Sequence, residues 1–206
     1  MSETEPLASV QAPEDPSRRR LLGAATGVVG AVGVGAAAWP FLATLRPSDK
    51  AKVIGAPVEV YIGTLEPGQI TRVQWRGQTI GIMRRTENML AQLPSLNDRL
   101  RDPESDIPQQ PAYAQNEYRS LRPDILVVNM HCTHLGCIPR VIPEVGAQPF
   151  DENWKGGFFC PCHRSMFDLA GRVYTGVPAV LNLLVPPYSF SDEEHVVIGI
   201  DPEGVA

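Results

Sequence analysis

The distribution of apolar residues divides the chain into a long uncharged stretch near its start and a longer segment of short apolar runs. No charged side chain occurs between residues 21 and 45. A helix over that stretch would be about 37 Å long, which exceeds the roughly 30 Å hydrocarbon layer of a bilayer. The stretch is too long for a typical core helix and predicts a single transmembrane segment.

Three consecutive arginines, Arg18, Arg19 and Arg20, lie directly before this stretch, whereas a single arginine, Arg46, lies directly after it. That asymmetry predicts a signal anchor whose amino end stays in the cytoplasm while the rest of the chain lies outside. A cleaved signal peptide is the alternative, with the alanines at 36–38 as the cleavage site. The string over 17–22 resembles a twin-arginine export signal, a route for proteins exported already folded.

The polarity pattern predicts four segments. Residues 1–16 are polar and contain prolines, which predicts a disordered cytoplasmic tail. Residues 17–45 form the anchor, and residues 46–56 have no clear period, which predicts a flexible tether. Residues 57–206 contain the remaining apolar runs and are expected to form the folded domain.

Short alternating or apolar runs in the folded domain predict β-strands. They lie at 58–62, 70–75, 79–83, 125–130, 158–159, 172–174, 183–185 and 196–200. A glycine turn at 76–78 should close a hairpin, Thr86 should cap a short helix over 87–100, and residues 101–123 should be a loop. The predicted fold class is mainly β, a small antiparallel sandwich or barrel with a short inserted helix, preceded by one transmembrane helix.

Composition and charge narrow the classes of function. The formal net charge of −5 argues against nucleic acid as a partner, because nucleic-acid-binding domains are usually basic. The 20 prolines and 18 glycines argue against a helical bundle and favour short strands joined by turns. The hydrophobic content of 43% is enough for a folded core.

Most of the cysteines and histidines cluster within residues 131–163. Cys132 and His134 form one close pair, and Cys160 and His163 form a second. Two thiolates and two imidazoles suit either a structural zinc ion or a Rieske 2Fe–2S cluster, which has two Cys on one iron and two His on the other. Zinc ligand spacings usually pair like with like, so one Cys and one His in each loop favour the asymmetric cluster.

Each loop also contains one additional cysteine, Cys137 or Cys162. An oxidising compartment would join the two as a disulfide that holds the ligand loops together. His131 adjoins Cys132, but both histidine positions are already supplied, so we expect it to be a packing or surface residue.

The strings C-T-H-L-G-C at 132–137 and C-P-C-H at 160–163 resemble the Rieske iron–sulfur subunit of the cytochrome bc complex, the ubiquinol–cytochrome c reductase iron–sulfur subunit, in its proteobacterial form. The resemblance extends to W-R-G at 75–77, N-E-Y-R-S at 116–120 and W-K-G-G-F-F at 154–159. It implies one 2Fe–2S cluster, held by a cluster-binding part at about 128–182.

The resemblance also implies roles for individual residues. The iron ligands would be Cys132, His134, Cys160 and His163. Cys137 and Cys162 would form a disulfide, and Ser165 would hydrogen-bond the cluster from outside the ligand set. Docking to cytochrome b would involve Leu135, Pro161 and Pro178.

The implied function is electron transfer from quinol to a c-type cytochrome. His163, and secondarily His134, would hydrogen-bond ubiquinol and accept its proton. The implied partners are cytochrome b, a c-type cytochrome subunit and the lipid bilayer, within a dimeric complex. The implied location is the bacterial inner membrane, with a single pass, a cytoplasmic amino terminus and a periplasmic Rieske domain.

Two alternatives remain open from the residues alone. One is the Rieske subunit of another exported oxidoreductase, such as arsenite oxidase. The other is a zinc-stabilised binding module with no redox role.

Three residues depart from the family pattern. Arg164 stands where glycine is usual, and it would be strained if that glycine has a positive φ. Phe167 replaces a tyrosine whose hydroxyl bonds a ligand sulfur, which removes a donor that stabilises the reduced cluster. Val180 replaces a proline, so its loop is expected to be less rigid.

Overall fold

The computed structural model describes residues 15–46, 48 and 55–204, and its contacts divide the chain into Met1–Ala51 and Lys52–Ala206. Residues 1–14 of the predicted tail at 1–16, positions 47 and 49–54 of the predicted tether, and residues 205–206 lie outside the described residues.

The first unit contains one helix, α1, over Pro16–Ala43. The Asp15 side chain accepts hydrogen bonds from the backbone N–H groups of Ser17 and Arg18, and Pro16 begins the helix, where a missing N–H costs nothing. None of its residues is buried, and its mean hydropathy reaches 1.8 over an 18-residue window. In the described part of the chain, α1 is the one helix long and apolar enough to cross a membrane.

The second unit consists mainly of short antiparallel strands. The strands are β1 Val58–Tyr61, β2 Ile70–Trp75, β3 Gln78–Arg84, β4 Ile125–Asn129, β5 Arg140–Ile142, β6 Gly157–Phe159, β7 Met166–Phe167, β8 Tyr188–Phe190 and β9 His195–Ile198. They form three sheets in the orders β1-β9-β8, β2-β3-β4 and β5-β6-β7. This confirms the mainly β fold class.

The β2–β3 hairpin forms as predicted. Its two-residue turn is Arg76-Gly77, whose φ values are both positive, at 50° and 74°, as a turn that matches the twist of the strands requires. Strand β4 pairs with β3 and is buried at every position, so it lies in the main core and delivers the chain to the first Cys/His loop.

The segment after Thr86 is helical but not one continuous α-helix. Thr86 caps helix α2, Glu87–Gln92, by accepting a hydrogen bond from the Met89 N–H. A 3₁₀-helix then covers Leu93–Arg99, where Pro94 has no N–H to continue the α-helical pattern. Met89, Leu93 and Leu96 on this segment are all buried, and Leu90 is half-buried.

Two of the predicted strands do not form. Residues 172–174 make only isolated bridges, at Val173 and Tyr174, and 183–185 is irregular, with Leu183 and Val185 buried and Leu184 exposed. The short strands β5, β7 and β8 were not predicted. Strands of two or three residues are set by pairing with distant segments, which local alternation does not reveal.

Candidate metal centre

The two Cys/His loops are tight turns with the same backbone hydrogen bonds. In the first, Cys132 N–H donates to the Cys137 carbonyl and Gly136 N–H donates to the Cys132 carbonyl, each at 2.8 Å. In the second, Cys160 N–H donates to the Ser165 carbonyl at 2.8 Å and Arg164 N–H donates to the Cys160 carbonyl at 2.9 Å. The second turn joins β6 to β7, so the sheet fixes both of its ends.

The two cysteines expected as ligands are buried and free. Cys132 and Cys160 are 3% and 2% exposed. Burial raises the pKa of Cys132 and the neighbouring Cys160 raises it further, whereas hydrogen bonds from the His134 backbone and the Ser165 hydroxyl lower it. The structure therefore brings these two sulfur atoms together in a site with little contact with water.

The two histidines expected as ligands lie beside each other at the surface. The ring centroids of His134 and His163 are 4.7 Å apart, and the rings are perpendicular. His163 is exposed and His134 is half-buried. The site thus has a buried sulfur side and a solvent-facing imidazole side.

The predicted disulfide is present. Cys137 and Cys162 are bonded across a sequence separation of 25 residues and join the two turns. Their sulfur atoms and that of Cys160 all lie within 4.8 Å of one another. Because the disulfide sulfurs are not thiolates, Cys132 and Cys160 are the two thiols left for metal in the described residues.

Ser165 connects the second turn to a third loop of the site, residues 176–181. Its side chain is fully buried, and its Oγ accepts a hydrogen bond from the Ala179 N–H at 3.0 Å. The hydroxyl keeps its own proton to donate, and its hydrogen bonding lowers the pKa of the Cys132 thiol. The hydrogen bond from Ser165 to the cluster stays a prediction.

The residues expected to dock on cytochrome b are exposed apolar groups on the two turns and on the loop that contains Ala179. Leu135 is 69% exposed, and Pro161 and Pro178 are also exposed. Val180, in the loop with Pro178, is exposed as well. Exposed apolar groups gathered at one point are typical of an interaction surface.

Two contacts of the first turn were not foreseen. The Thr133 hydroxyl donates to the Leu181 carbonyl at 2.6 Å and ties the first turn to the third loop. The His131 Nε2 accepts from the Thr79 N–H at 3.3 Å, so this ring contacts the β2–β3 hairpin. The spacing of polar residues does not reveal these contacts, because they join segments about 50 residues apart.

A buried ion pair fixes the chain that follows the second turn. The Asp168 carboxylate accepts from the Arg172 Nε at 2.8 Å, with both side chains essentially buried. The remaining Arg172 nitrogens donate to the Leu93 and Pro103 carbonyls and to the Asn97 side chain. The helical insertion is thereby joined to the cluster-binding part, and the charge of Arg172 is fully hydrogen-bonded.

These residues fit a Rieske cluster by the chemistry of their donors. Two thiols meet on the buried side, two imidazoles meet on the exposed side, and the other cysteine pair is bonded as a disulfide. A Rieske 2Fe–2S centre needs two thiolate and two imidazole ligands, and these four side chains supply them.

A domain family that this chain matches binds the same type of cluster that its donor set fits. Residues 57–187 match the family described as Rieske [2Fe-2S] domain, and residues 9–48 match the Ubiquitinol-cytochrome C reductase Fe-S subunit TAT signal. The chain belongs to the ubiquinol–cytochrome c reductase iron–sulfur subunits. Its cofactor is one Rieske 2Fe–2S cluster, which excludes the zinc-stabilised module. The signal match and α1 indicate an exported domain anchored to a membrane.

Several relatives in this family share most of their length with the chain. The ubiquinol–cytochrome c reductase iron–sulfur subunit of Allochromatium vinosum is 50% identical over 89% of both chains. The subunit of Rhodospirillum rubrum is 39% identical over 97% of this chain and 100% of its own. Among solved structures, a chain of a hyperthermophilic respiratory Complex III is 23% identical, with a TM-score of 0.48 over 84% of this chain and 98% of that chain.

Proposed function

We propose that this chain is the electron-transfer subunit of a ubiquinol–cytochrome c reductase. It takes an electron and a proton from ubiquinol and passes the electron to a c-type cytochrome subunit. The observation that carries the proposal is the pair of surface imidazoles, His134 and His163, beside two buried thiols in a chain 50% identical to such a subunit. The same identity favours this function over the Rieske subunit of an arsenite oxidase.

Four side chains would hold the cluster: Cys132 and Cys160 on one iron, and His134 and His163 on the other. When bound, the cluster supplies a one-electron redox couple. The burial of both cysteines keeps water from the sulfur side, and Ser165 adds a hydroxyl donor there. Disulfide Cys137–Cys162 holds the two turns in register.

An imidazole that uses one ring nitrogen for iron keeps the other for a proton. His163 is the more exposed of the two rings and is our first candidate for the hydrogen bond to ubiquinol, with His134 second. The exposed apolar groups around them, Leu135, Pro161 and Pro178, would pack against cytochrome b and exclude water from the quinol site.

The membrane arrangement follows from charge and hydropathy. Helix α1 would cross the bacterial inner membrane once, with Arg18–Arg20 on the cytoplasmic side and the Rieske domain in the periplasm. Residues 46–56 would act as a flexible tether between the two, so that the domain can serve cytochrome b and the c-type cytochrome in turn. The complex is expected to be dimeric.

The test separates docking from cluster binding. Membranes of a strain lacking this chain should show no quinol-dependent reduction of the c-type cytochrome, and the wild-type chain should restore it. The Leu135→Arg variant should keep the paramagnetic signal of the reduced cluster but lose most quinol oxidation, since a charge replaces the apolar tip. Arg76→Gly, on the β2–β3 turn, is the control. Full quinol oxidation in the strain without the chain would contradict the proposal.

A further inference from the structure

A groove next to the second turn is lined by two arginines and two phenylalanines. Arg140 and Arg164 line a cavity of about 350 Å³ together with Gln148, Phe150 and Phe159. The rings of Phe150 and Phe159 are stacked, with centroids 4.0 Å apart and 11° between their planes. Strand pairing places Arg140 opposite Phe159, and Cys160 follows Phe159 directly, so this Arg140–Arg164 groove adjoins the site.

Neither guanidinium in the groove is neutralised. Arg140 and Arg164 are exposed, and within the described residues neither side chain makes an ion pair or a hydrogen bond. Some arginines elsewhere in the domain are paired with carboxylates, as in Arg99–Asp151 and Arg122–Asp124. Two unpaired guanidinium groups on one cavity are a favourable site for carboxylates, which arginine can bind in a bidentate way.

The ligand turns and the loop that follows them carry no acidic side chain. Residues 131–143, 158–167 and 174–191 contain no Asp or Glu, although the chain has a net charge of −5. The acidic residues near the groove in sequence include Glu144, Asp151 and Glu152, and Asp151 is paired with Arg99. The two unpaired arginines therefore leave positive charge next to His163, which would attract an acidic surface.

Arg164 keeps its side chain in a backbone conformation that favours glycine. Its φ is 63°, and it is equivalent to Gly136 in the other turn, which has a φ of 77°. A non-glycine residue there carries a conformational cost, and no intramolecular partner of its guanidinium offsets that cost. A strained, exposed and unpaired cation beside the exposed imidazole is explained if the cation binds something outside the chain.

We infer that the Arg140–Arg164 groove is a docking contact for a carboxylate-rich face of the protein that accepts the electron. The inference rests on the proposed function, because an acceptor must approach the domain at His163, and Arg164 is the next residue. The guanidinium groups would bind carboxylates, and the Phe150–Phe159 stack would pack against apolar groups of the same face. A membrane phosphate headgroup shares the anionic chemistry and is the outcome to exclude.

The first experiment measures binding directly. The full-length holoprotein in maltoside micelles is titrated with rhodamine-labelled hexaglutamate at low salt, and anisotropy is recorded. Arg164→Gly and Arg140→Gln should each weaken binding by about two- to fivefold, the range for exposed ion pairs. Arg164→Lys should retain most of the affinity.

The matched control is Arg76→Gly, because Arg76 is also exposed and also has a positive φ, of 50°, but lies on the β2–β3 turn. It should bind hexaglutamate like the wild type. Equal weakening in Arg76→Gly, or no salt-sensitive binding by the wild type, would overturn the inference. Displacement of the peptide by short-chain phosphatidylglycerol at lower concentration than by unlabelled hexaglutamate would assign the groove to a lipid headgroup and overturn it too.

The second experiment uses the intact reductase complex. Flash kinetics follow the transfer of the electron to the c-type cytochrome at increasing KCl concentrations. The wild-type rate should fall with salt, and both groove variants should be slower at low salt and less salt-dependent. If the wild type reduces no c-type cytochrome, the proposed function fails; if it does but the variants match it at every salt concentration, only the inference fails.

Discussion

Gly136 and Arg164 occupy the same position in two turns that share one pattern of backbone hydrogen bonds. In both turns this residue donates its N–H to the carbonyl of the first cysteine, and its φ is positive, at 77° and 63°. A Cβ added at Gly136 would meet nothing within 4 Å, so the preference for glycine there is conformational and not steric.

This equivalence predicts opposite effects of two substitutions on stability. Gly136→Ala should lower the free energy of unfolding by about 1 kcal/mol, because alanine is strained at this φ. Arg164→Gly should leave the free energy unchanged or raise it by up to about 1 kcal/mol. Urea denaturation followed by circular dichroism measures both. A destabilisation by Arg164→Gly as large as that by Gly136→Ala would show that the arginine side chain is stabilised by its surroundings.

The ligand set can be tested by single substitutions. Cys132→Ser, His134→Ala, Cys160→Ser and His163→Ala should each abolish the paramagnetic signal of the reduced cluster. His131→Ala is the control, since that ring contacts the Thr79 backbone and should be dispensable for the cluster. A signal that survives in His134→Ala but is lost in His131→Ala would reverse the assignment.

Loss of the disulfide should weaken the site without removing a ligand. Cys137→Ser or Cys162→Ser should give protein that loses its cluster more readily, because the bond closes a loop of 25 residues and contributes about 3 kcal/mol in the chain-entropy model. The half-life of the visible absorption at 37 °C measures the effect. A half-life equal to the wild type would mean that the turns are held by their other contacts.

Hydroxyl donors near the sulfurs should tune the reduction potential. Ser165→Ala removes the buried hydroxyl that lowers the pKa of Cys132 and should lower the potential by about 40 mV, the one-electron equivalent of about 1 kcal/mol. Phe167→Tyr should raise it by a similar amount if the new hydroxyl reaches a sulfur. Voltammetry of the purified variants measures both, and unchanged values would show that these side chains do not act on the sulfurs.

His195 and Asp192 form a hydrogen-bonded pair outside the cluster site, and this pair should make stability depend on pH. The hydrogen bond that the His195 ring donates to the Asp192 carboxylate raises the pKa of His195 above its usual value. Whatever the pair contributes to stability is therefore present while His195 is protonated and is lost as pH rises through its raised pKa. Asp192→Asn should return the pKa towards the usual value, which NMR titration of the ring would detect. An unchanged pKa would assign the shift to Glu59 and Glu194 instead.

Local sequence was sufficient where the structure depends on local interactions. The β2–β3 hairpin was predicted from alternation around Arg76-Gly77, and Thr86 was recognised as a helix cap. The candidate ligands were also found locally, because each loop contains one Cys–His pair. The arrangement of buried thiols and adjacent imidazole rings was not predictable, since it depends on how two turns 28 residues apart pack together.

The sequence-based predictions were wrong where contacts with residues distant in sequence determine the structure. Residues 172–174 alternate like a strand, but Arg172 is buried by the pair with Asp168 and by carbonyls from the helical insertion. The polar segment 101–123 was expected to be an ordinary loop, yet its Arg119 is fully buried and donates to the Ala170 carbonyl. A buried arginine is tolerated only with such acceptors, and they are remote in sequence.

The closeness of the Cys137, Cys160 and Cys162 sulfurs has a consequence for the order of events during biogenesis. Thiol–disulfide exchange among three neighbouring sulfurs could yield three different bridges, of which one is native. A Cys160 thiolate already bound to iron is no longer free to attack the other two. The twin-arginine route, which carries folded proteins, would allow iron to be inserted in the reducing cytoplasm before the oxidising compartment is reached. The order of iron insertion and oxidation, rather than the distances between the sulfur atoms, would then determine which bridge forms.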